Sequence, residues 1–177
     1  SRHGWRWNEP VFAEVQLPKG FDYGLSGSGS KTVNEWTALG VAPFGGARWS
    51  KPAGFLDAKL LIPAGHNGPK FLTFKNFDVI KKYNNSTSYA LGINVLAESF
   101  QDRPAIQSPW PTDDAPLTLT DRENLQRRLT ALGYDTGGVD GQIGPNTRKA
   151  VRAWQKANGL PADGYVEQKL LRRILGR

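Results

Sequence analysis

The stretch that decides the fold of the C-terminal third is residues 120–175, which read TDRENLQRRLTALGYDTGGVDGQIGPNTRKAVRAWQKANGLPADGYVEQKLLRRIL. Thr120 and Glu123 have the spacing of a capping box, which predicts the start of a first helix. Gly133 and Gly159 predict the ends of the first and second helices, and Pro145 suits the first turn of the second. Three apolar stripes at helical spacing predict a three-helix module: Leu125, Leu129 and Leu132; Ala150, Val151, Trp154 and Ala157; Leu170, Leu171, Ile174 and Leu175.

This module, residues 118–177, resembles the peptidoglycan-binding domain found at one end of many bacterial wall enzymes. The resemblance rests on Gly144 and Thr147, on AVRAWQ and on NGLPADG, and it implies binding to peptidoglycan. The residues alone leave a purely structural reading open, because a domain of about 55 residues needs good caps and turns simply to fold. Trp154 suits the core. The candidate ligand contacts are the polar groups expected at the surface or in turns: Tyr134, Asp140, Thr147, Arg148 and Gln155.

Composition narrows the classes of partner. The chain of 177 residues has no cysteine, which excludes disulfides, and no apolar run long enough to cross a bilayer. Its formal charge is +7, and residues 117–177 hold 11 Lys and Arg against 6 Asp and Glu. Such a charge fits an anionic partner or a solvated helix face. Because no nucleic-acid-binding motif accompanies it, we expect no nucleic-acid partner.

A proline-rich linker separates the module from the rest of the chain. Residues 101–116 read QDRPAIQSPWPTDDAP and show no apolar periodicity. Proline at this density favours extended, semi-rigid backbone. We therefore predict a linker over residues 102–117.

The first part of the chain predicts a small sheet followed by helix. Short apolar runs such as FAEVQL, DAKLLI and KFLTF alternate with glycine and proline turns, which is typical of antiparallel strands. Residues 34–40 predict one short helix that ends at glycine. We assign residues 8–75 to a β subdomain and residues 76–101 to core helix, interrupted by a polar centre and carrying Ala90, Ile93, Leu96 and Ala97 as its second apolar stripe. The predicted fold class is α+β.

The polar centre reads YNNSTSYA from Tyr83 to Ala90. Aromatic rings beside amides and hydroxyls are typical of carbohydrate clefts, because rings pack on sugar C–H faces while polar groups orient the ring oxygens. The same residues also suit a helix start capped by Ser86 or Asn84. The two interpretations are compatible.

Residues 4–101 resemble the C-terminal portion of the membrane-bound lytic transglycosylases of the B type. The resemblance rests on GWRW, FAEVQLPKGFDYGLSGSG, EWTALGV, LLIPAGHNGPKFLTFKNFDVI and YNNSTSYALGINVLAESF. It implies a partial lysozyme-like helical core interrupted by the β subdomain. It also implies that Tyr83, Asn84, Ser86 and Tyr89 line the substrate cleft.

Members of that family cleave the MurNAc–GlcNAc β-1,4 bond with a single glutamate and yield 1,6-anhydromuramoyl products. The family's glutamate stands upstream of the segment that resembles GWRW. The resemblance therefore implies that the catalytic glutamate is N-terminal to this chain, and the lack of an initial methionine suggests a processed or excised piece. Glu9, Glu14, Glu35 and Glu98 lack the helical context of the family acid, so we expect no catalytic residue in this chain.

We expect no metal site and no cofactor. His3 and His66 lie far apart, and the loop from Asp135 to Gly141 lacks the alternating ligands of a calcium site. The expected partner is peptidoglycan, with self-association through an exposed apolar helix face. The resemblance implies a periplasmic location, with outer-membrane association of the full-length protein. Two functional classes remain open: part of a lytic transglycosylase, or a non-catalytic wall-binding protein acting through the C-terminal module.

Overall fold

The computed structural model describes residues 4–100 and 106–176, and it forms two compact units. The first unit contains the described residues of 1–21, 25–62 and 69–109, and the second contains 22–24, 63–68 and the described residues from 110 onward. The first unit combines a small antiparallel sheet with helices, and the second is helical. The prediction of an α+β fold is confirmed.

The sheet has five strands in the order β2-β4-β5-β1-β3, and every pairing is antiparallel. The strand bounds are β1 Phe12–Gln16, β2 Lys31–Thr32, β3 Ala42–Pro43, β4 Asp57–Leu61 and β5 Lys70–Thr73. Leu72 pairs with Leu60 on one side and with Ala13 on the other. Because side chains alternate along a strand, these three residues share one face of the sheet, and Phe71 lies on the other.

Helices cover both faces of this sheet. On the Leu72 face, the short helix α1, Val33–Ala38, buries Trp36, whose indole N–H donates to the carbonyl of Ala58 at 3.0 Å. On the Phe71 face, Phe71 packs in a cluster with residues of β1 and of two further helices: Phe12, Phe77, Ala90 and Leu91. The sheet therefore lies between helices, and the cluster around Phe71 holds the two helices that carry the polar centre.

The segment assigned to core helix, residues 76–101, forms two helices, α2 Lys75–Tyr83 and α3 Thr87–Ser99. The break falls at Asn84, whose extended backbone ends α2, and at Ser86, which caps α3. The predicted apolar stripe of α3 is partly wrong. Ala90 is buried, but Ile93 and Leu96 are 40% and 54% exposed, since α3 turns Leu91 and Asn94 toward the sheet.

The second unit contains the predicted three helices, α4 Leu119–Ala131, α5 Pro145–Ala157 and α6 Gln168–Leu175. Their core contains most of the predicted stripe residues, together with Val166. Leu132 and Ala157 were predicted to be buried but are exposed, because each lies at the C-terminal end of its helix, beyond the last turn that meets the core. Gly133 and Gly159 follow these ends at positive φ, as predicted.

The predicted capping box of α4 is wrong by two residues. Thr118, and not Thr120, caps the helix, and Asp121 takes the place expected for Glu123. The Asp121 carboxylate accepts the Thr118 N–H at 2.9 Å, and its own N–H donates to the Thr118 hydroxyl at 3.1 Å. The observed pair, Thr118 and Asp121, and the predicted pair, Thr120 and Glu123, both have the spacing of a capping box. The earlier start places Leu117 just before the helix, where it packs against the module core.

The described part of the predicted linker, residues 106–117, contains neither helix nor strand. In the first unit, the Glu14 carboxylate accepts the backbone N–H groups of Gln107 and Ser108, at 2.6 and 2.9 Å. In the second unit, the Asp114 carboxylate accepts the N–H of Gln168 at 2.8 Å. Side-chain hydrogen bonds thus hold both ends of this segment. Residues 102–105 of the predicted linker lie outside the described residues.

No helix within residues 4–100 or 106–176 is long and apolar enough to cross a membrane.

Candidate functional site

The four residues predicted to line a cleft come together at the junction of α2 and α3. Tyr83, the last residue of α2, is 87% exposed, and its ring stacks on that of Tyr89 with centroids 6.3 Å apart and planes 29° apart. The Asn84 side-chain oxygen accepts the N–H of Ser86 at 3.1 Å, and the Ser86 hydroxyl accepts the N–H of Tyr89 at 3.2 Å. The exposed Tyr83 and the half-buried Tyr89 therefore lie beside a helix start capped by Ser86, which confirms the prediction of a capped helix, whereas the lining of a carbohydrate cleft stays a prediction.

A buried asparagine at the other end of α2 holds the N-terminal segment. Asn76 is fully buried, and its amide donates to the carbonyls of Arg6 and Glu9 at 2.8 and 2.7 Å. Its side-chain oxygen accepts the N–H of Arg6 at 2.9 Å. The residue is thus fully satisfied, and it fixes the segment that contains the exposed Trp7 against α2. No pattern in the sequence indicates this anchor.

In the second unit, a buried glutamine holds the first Asp-Gly turn. Gln126, on α4, is 1% exposed, and its side-chain oxygen accepts the N–H groups of Asp140 and Gly141 at 3.1 and 2.8 Å. Its amide donates to the Asp140 carboxylate at 2.8 Å, to the carbonyl of Gln142 and to the hydroxyl of Thr147. The Gln126 side chain therefore forms hydrogen bonds with each of the three residues of the turn, Asp140, Gly141 and Gln142.

The second Asp-Gly turn repeats this arrangement. Gln155, on α5, is 3% exposed; its oxygen accepts the N–H of Gly164 and its amide donates to the Asp163 carboxylate, each at 2.8 Å. In both turns the helix begins four residues after the glycine, at Pro145 and at Gln168. Each Asp-Gly turn is therefore held by a buried glutamine of the helix that precedes it.

The five candidate contacts of the module differ in their structural roles. Thr147 and Gln155 are buried, at 2% and 3% exposure, and their polar groups bond within the module. Asp140 and Arg148 are exposed, although Asp140 also holds its turn. Tyr134 lines a cavity of about 300 Å³ together with Asp135, Asn146 and Lys149. The exposed residues and the cavity leave room for a ligand, whereas the two buried side chains support the turns.

The second turn also binds the segment Pro63–Gly68, which lies in the same unit. The Asp163 side chain is 2% exposed, and its Oδ2 atom accepts the backbone N–H of His66 at 2.7 Å and lies 2.8 Å from His66 Nδ1. Asp163 Oδ1 accepts the N–H of Tyr165 as well as the amide of Gln155. Burial, and then the charge of Asp163, raises the pKa of the nearby Tyr23.

Gly65 allows this close approach. Its φ is +67°, and a Cβ atom there would lie 2.9 Å from Asp163 Oδ2 and 2.9 Å from Tyr165 Cβ. We expect Gly65→Ala to release the segment and to destabilise the second unit by about 1–3 kcal/mol, because it combines backbone strain with a clash. Hydrogen exchange at the His66 amide measures the release. Gly20→Ala is the matched control, because Gly20 has φ +76° and open space around it. Equal protection at His66 in the two variants would contradict the predicted role of the contact.

Metal ligation has no support among the residues the structure describes, which contain no group of three or more His, Cys, Asp or Glu able to hold an ion. His66 bonds to Asp163, and His3 lies outside the described residues. Asp135 and Asp140 each close a turn by accepting a backbone N–H two residues later, from Gly137 and Gln142. The loop from Asp135 to Gly141 therefore contains two side-chain-closed turns.

Comparison with protein families identifies the first part of the chain. A family model described as transglycosylase SLT domain matches residues 1–98, more than half of the chain. The chain belongs to the transglycosylase SLT domain family. A peptidoglycan binding domain model matches residues 118–174, which contain the three helices of the second unit. The sequence-based recognition of a transglycosylase joined to a peptidoglycan-binding domain is confirmed at this level.

This SLT-domain chain is similar over nearly its whole length to SltB3 from Pseudomonas aeruginosa. The crystal structure of SltB3 in complex with NAG-anhNAM-pentapeptide is 46% identical, with a TM-score of 0.92, and the match covers 98% of this chain and 47% of SltB3. A second SltB3 structure, with NAG-NAM-pentapeptide, gives 47% identity and the same TM-score. The chain thus spans about half the length of SltB3.

Shorter matches relate the chain to two further proteins. The N-acetylmuramoyl-L-alanine amidase CwlM of Mycobacterium tuberculosis is 37% identical over 87 residues, which are 49% of this chain and 18% of CwlM. The localization factor PodJL of Caulobacter vibrioides is 33% identical over 79 residues, 44% of this chain and 8% of PodJL. In each case the similarity covers less than half of this chain and a small part of the relative.

Proposed function

We propose that this chain binds and remodels peptidoglycan as the C-terminal part of a lytic transglycosylase. In this proposal the enzyme cleaves the MurNAc–GlcNAc β-1,4 bond and yields 1,6-anhydromuramoyl products. The stacked pair of the exposed Tyr83 and the half-buried Tyr89 is the observation that carries the proposal, because it lies in the SLT-domain part of the chain and offers ring surface on which sugars pack. The similarity to SltB3 over 98% of the chain supports it.

We assign the substrate cleft to Tyr83, Asn84, Ser86 and Tyr89. The two rings would pack on sugar C–H faces, while Asn84 and Ser86 would present polar groups beside them. The exposure of Tyr83 and Asn84 supports access to a polymeric substrate. Ser86 caps α3, so its contribution to the cleft would be mainly to fix the position of Tyr89.

We further propose that the catalytic glutamate lies outside residues 1–177. A general acid needs a raised pKa to hold its proton near neutrality, whereas hydrogen bonds from the Thr32 backbone and hydroxyl lower the pKa of Glu35. Glu9 pairs with Arg6 at 2.8 Å, and Glu14 accepts two backbone N–H groups of the linker. These structural roles support an acid supplied by another part of a longer protein, as does the match to about half of SltB3.

The proposed reaction uses the acid to protonate the glycosidic oxygen, so that the bond from C1 of MurNAc to that oxygen breaks. The 6-hydroxyl of the same MurNAc then attacks C1, loses its proton to the same carboxylate and closes the anhydro ring, without adding water. The part of the present chain is to hold the sugar in the geometry that this ring closure requires. Correct positioning of this kind lowers the barrier of the reaction by several kcal/mol.

We propose that the second unit anchors the enzyme to the wall. The match to a peptidoglycan binding domain supports this role. The excess of basic residues supports it as well, because their positive charge is complementary to the negative carboxylates of the stem peptides. A periplasmic location follows from the substrate, and we propose outer-membrane association for the full-length protein. The exposed Ile93 and Leu96 of α3, together with the exposed Phe100 that follows the helix, support self-association of this chain through that face.

Incubation with purified sacculi tests the proposal. We expect this 177-residue chain to bind sacculi without turnover, and a longer protein that adds the glutamate-bearing core to release 1,6-anhydromuropeptides, detected by mass spectrometry. Anhydro products from the 177-residue chain would contradict the assignment of the acid to another segment. Binding without anhydro products from either protein would instead favour the alternative, a non-catalytic wall-binding protein. Absence of binding would overturn both.

A further inference from the structure

The two Asp-Gly turns of the second unit differ in what they bind. At the second turn, Asp163 Oδ1 accepts the bonds that hold the turn, and Oδ2 accepts the N–H of His66 and lies 2.8 Å from His66 Nδ1. At the first turn, Asp140 Oδ1 likewise accepts the amide of Gln126 and the N–H of Gln142, each at 2.8 Å. No group in the described parts of the chain donates a hydrogen bond to Asp140 Oδ2.

The first turn is therefore an open copy of a site that the second turn uses to bind a peptide segment. A carboxylate oxygen can accept two hydrogen bonds, and those of Asp163 Oδ2 go to a neighbouring stretch of chain. Asp140 is exposed and held in the same way by a buried glutamine, so its Oδ2 atom is fixed in place and accessible. A rigid acceptor of this kind loses little entropy when a donor binds.

The surroundings of Asp140 indicate the chemistry of the donor. The hydrogen bond from Gln126 and then that from the Gln142 backbone lower the pKa of Asp140, so the carboxylate is ionised at neutral pH. Leu119, 55% exposed, lies against Gly141, and Val139, 45% exposed, precedes Asp140. Glu123, also close to Gly141, is neutralised by Arg127 at 2.8 Å. An anionic acceptor beside apolar side chains fits an N–H donor carried on an aliphatic chain.

We propose that Asp140, with Leu119 and Val139, binds an N–H donor of the peptidoglycan stem peptide, and that the donor is the free ammonium group on the side chain of its diamino acid. The inference rests on the proposed wall-binding function and assigns the peptide, rather than the glycan, as the component bound at this turn. The aliphatic stem of the diamino acid packs on the two apolar side chains, and the ammonium donates to Asp140 Oδ2. Charge-assisted hydrogen bonds of this type are among the stronger ones in proteins.

Asp140→Asn is the variant that tests the site. It keeps a carbonyl oxygen for the bonds from Gln126 and Gln142, but it replaces the accepting Oδ2 with a donating amide. The control is Asp22→Asn, because Asp22 is an exposed aspartate of the same unit that likewise accepts a backbone N–H two residues later, from Gly24. Hydrogen exchange of α4 and α5 would check that both variants keep the fold.

Calorimetry on the whole chain would use three probes: a disaccharide pentapeptide with a free diamino-acid ammonium, the same molecule acetylated at that amine, and the disaccharide without peptide. We expect Asp140→Asn to weaken binding of the first probe about tenfold, and Asp22→Asn to change it by less than about twofold. We also expect acetylation to weaken wild-type binding as much as Asp140→Asn does. Equal binding of the free and acetylated probes, both weakened by Asp140→Asn, would support the site with a peptide N–H as the donor.

The inference would be overturned if Asp140→Asn bound the peptide probes as tightly as the wild-type chain does. It would also be overturned if the wild-type chain bound the disaccharide without peptide as tightly as it binds the peptide probes. A parallel measurement of sacculus binding separates this failure from failure of the proposed function. If the wild-type chain binds sacculi but none of the peptide probes, the inference fails and wall binding stands. If it binds neither, both fail.

Discussion

Tyr83→Ala is expected to lower kcat/KM for sacculus cleavage at least about 100-fold in a longer protein that joins this chain to its glutamate-bearing core. The side chain is 87% exposed, so its removal should not destabilise the fold. Its ring stacks on Tyr89, and loss of one ring removes half of the aromatic surface proposed to position the sugar. Because the acid and the 6-hydroxyl require a fixed geometry, a small displacement of the substrate costs a large part of the rate.

Three comparisons make this prediction specific to the cleft. Tyr83→Phe keeps the ring, so it separates stacking from hydrogen bonding by the hydroxyl. Phe55→Ala is the matched control, because Phe55 is 78% exposed and lies in a different segment of the first unit. Asn84→Ala should reduce activity as well, since Asn84 also orders the start of α3. Sacculus binding should stay within about twofold for all variants, because the binding module is untouched. Similar activities of Tyr83→Ala and Phe55→Ala would contradict the cleft assignment.

Much of the fold could be predicted from the sequence because its determinants are local. Gly133, Pro145 and Gly159 stand at helix ends in the structure as expected, since each acts on its own stretch of backbone. The start of α4 was misplaced because the sequence Thr-Leu-Thr-Asp-Arg-Glu offers two capping boxes two residues apart. Only the packing of Leu117 against the module core distinguishes them.

The candidate site could be predicted in part for the same reason. Tyr83, Asn84, Ser86 and Tyr89 lie within seven residues, so a helix end followed by a cap brings them together. The role of His66 was missed, because its contact with Asp163 joins residues 97 positions apart. A sequence pattern does not show which distant residue such a contact reaches. The signal that was available is the triplet Ala-Gly-His, in which Gly65 permits a close approach.

The equivalence of the two buried glutamines is not evident from the sequence. Gln126 and Gln155 each precede an Asp-Gly pair, and each pair precedes a helix by the same four residues. The aspartate lies 14 positions after Gln126 but 8 positions after Gln155, so the similarity is hidden until the structure is seen. Polar residues on the inner face of a helix break the apolar stripe, and sequence analysis then assigns them to the surface.

Gln126→Leu is expected to lower the free energy of unfolding of the second unit by about 3 kcal/mol. Leucine has a similar volume, so the change removes hydrogen bonds without opening a large cavity. Five bonds are lost, and the N–H of Gly141 is left buried without a partner. An unsatisfied buried donor costs about 1–3 kcal/mol by itself, and the Asp140 N–H and the Thr147 hydroxyl lose a partner as well.

Native-state hydrogen exchange over α4, α5 and α6 measures this loss in the intact chain, because it reports the second unit separately from the first. Gln142→Leu is the matched control: Gln142 is exposed, and only its backbone groups bond within the turn. Gln155→Leu should behave like Gln126→Leu, and it should also expose the His66 amide to exchange, because Asp163 loses the bond that orients it. If Gln126→Leu costs no more than Gln142→Leu, the two turns are not held by their glutamines, and the equivalence that makes Asp140 an open copy of Asp163 loses its basis.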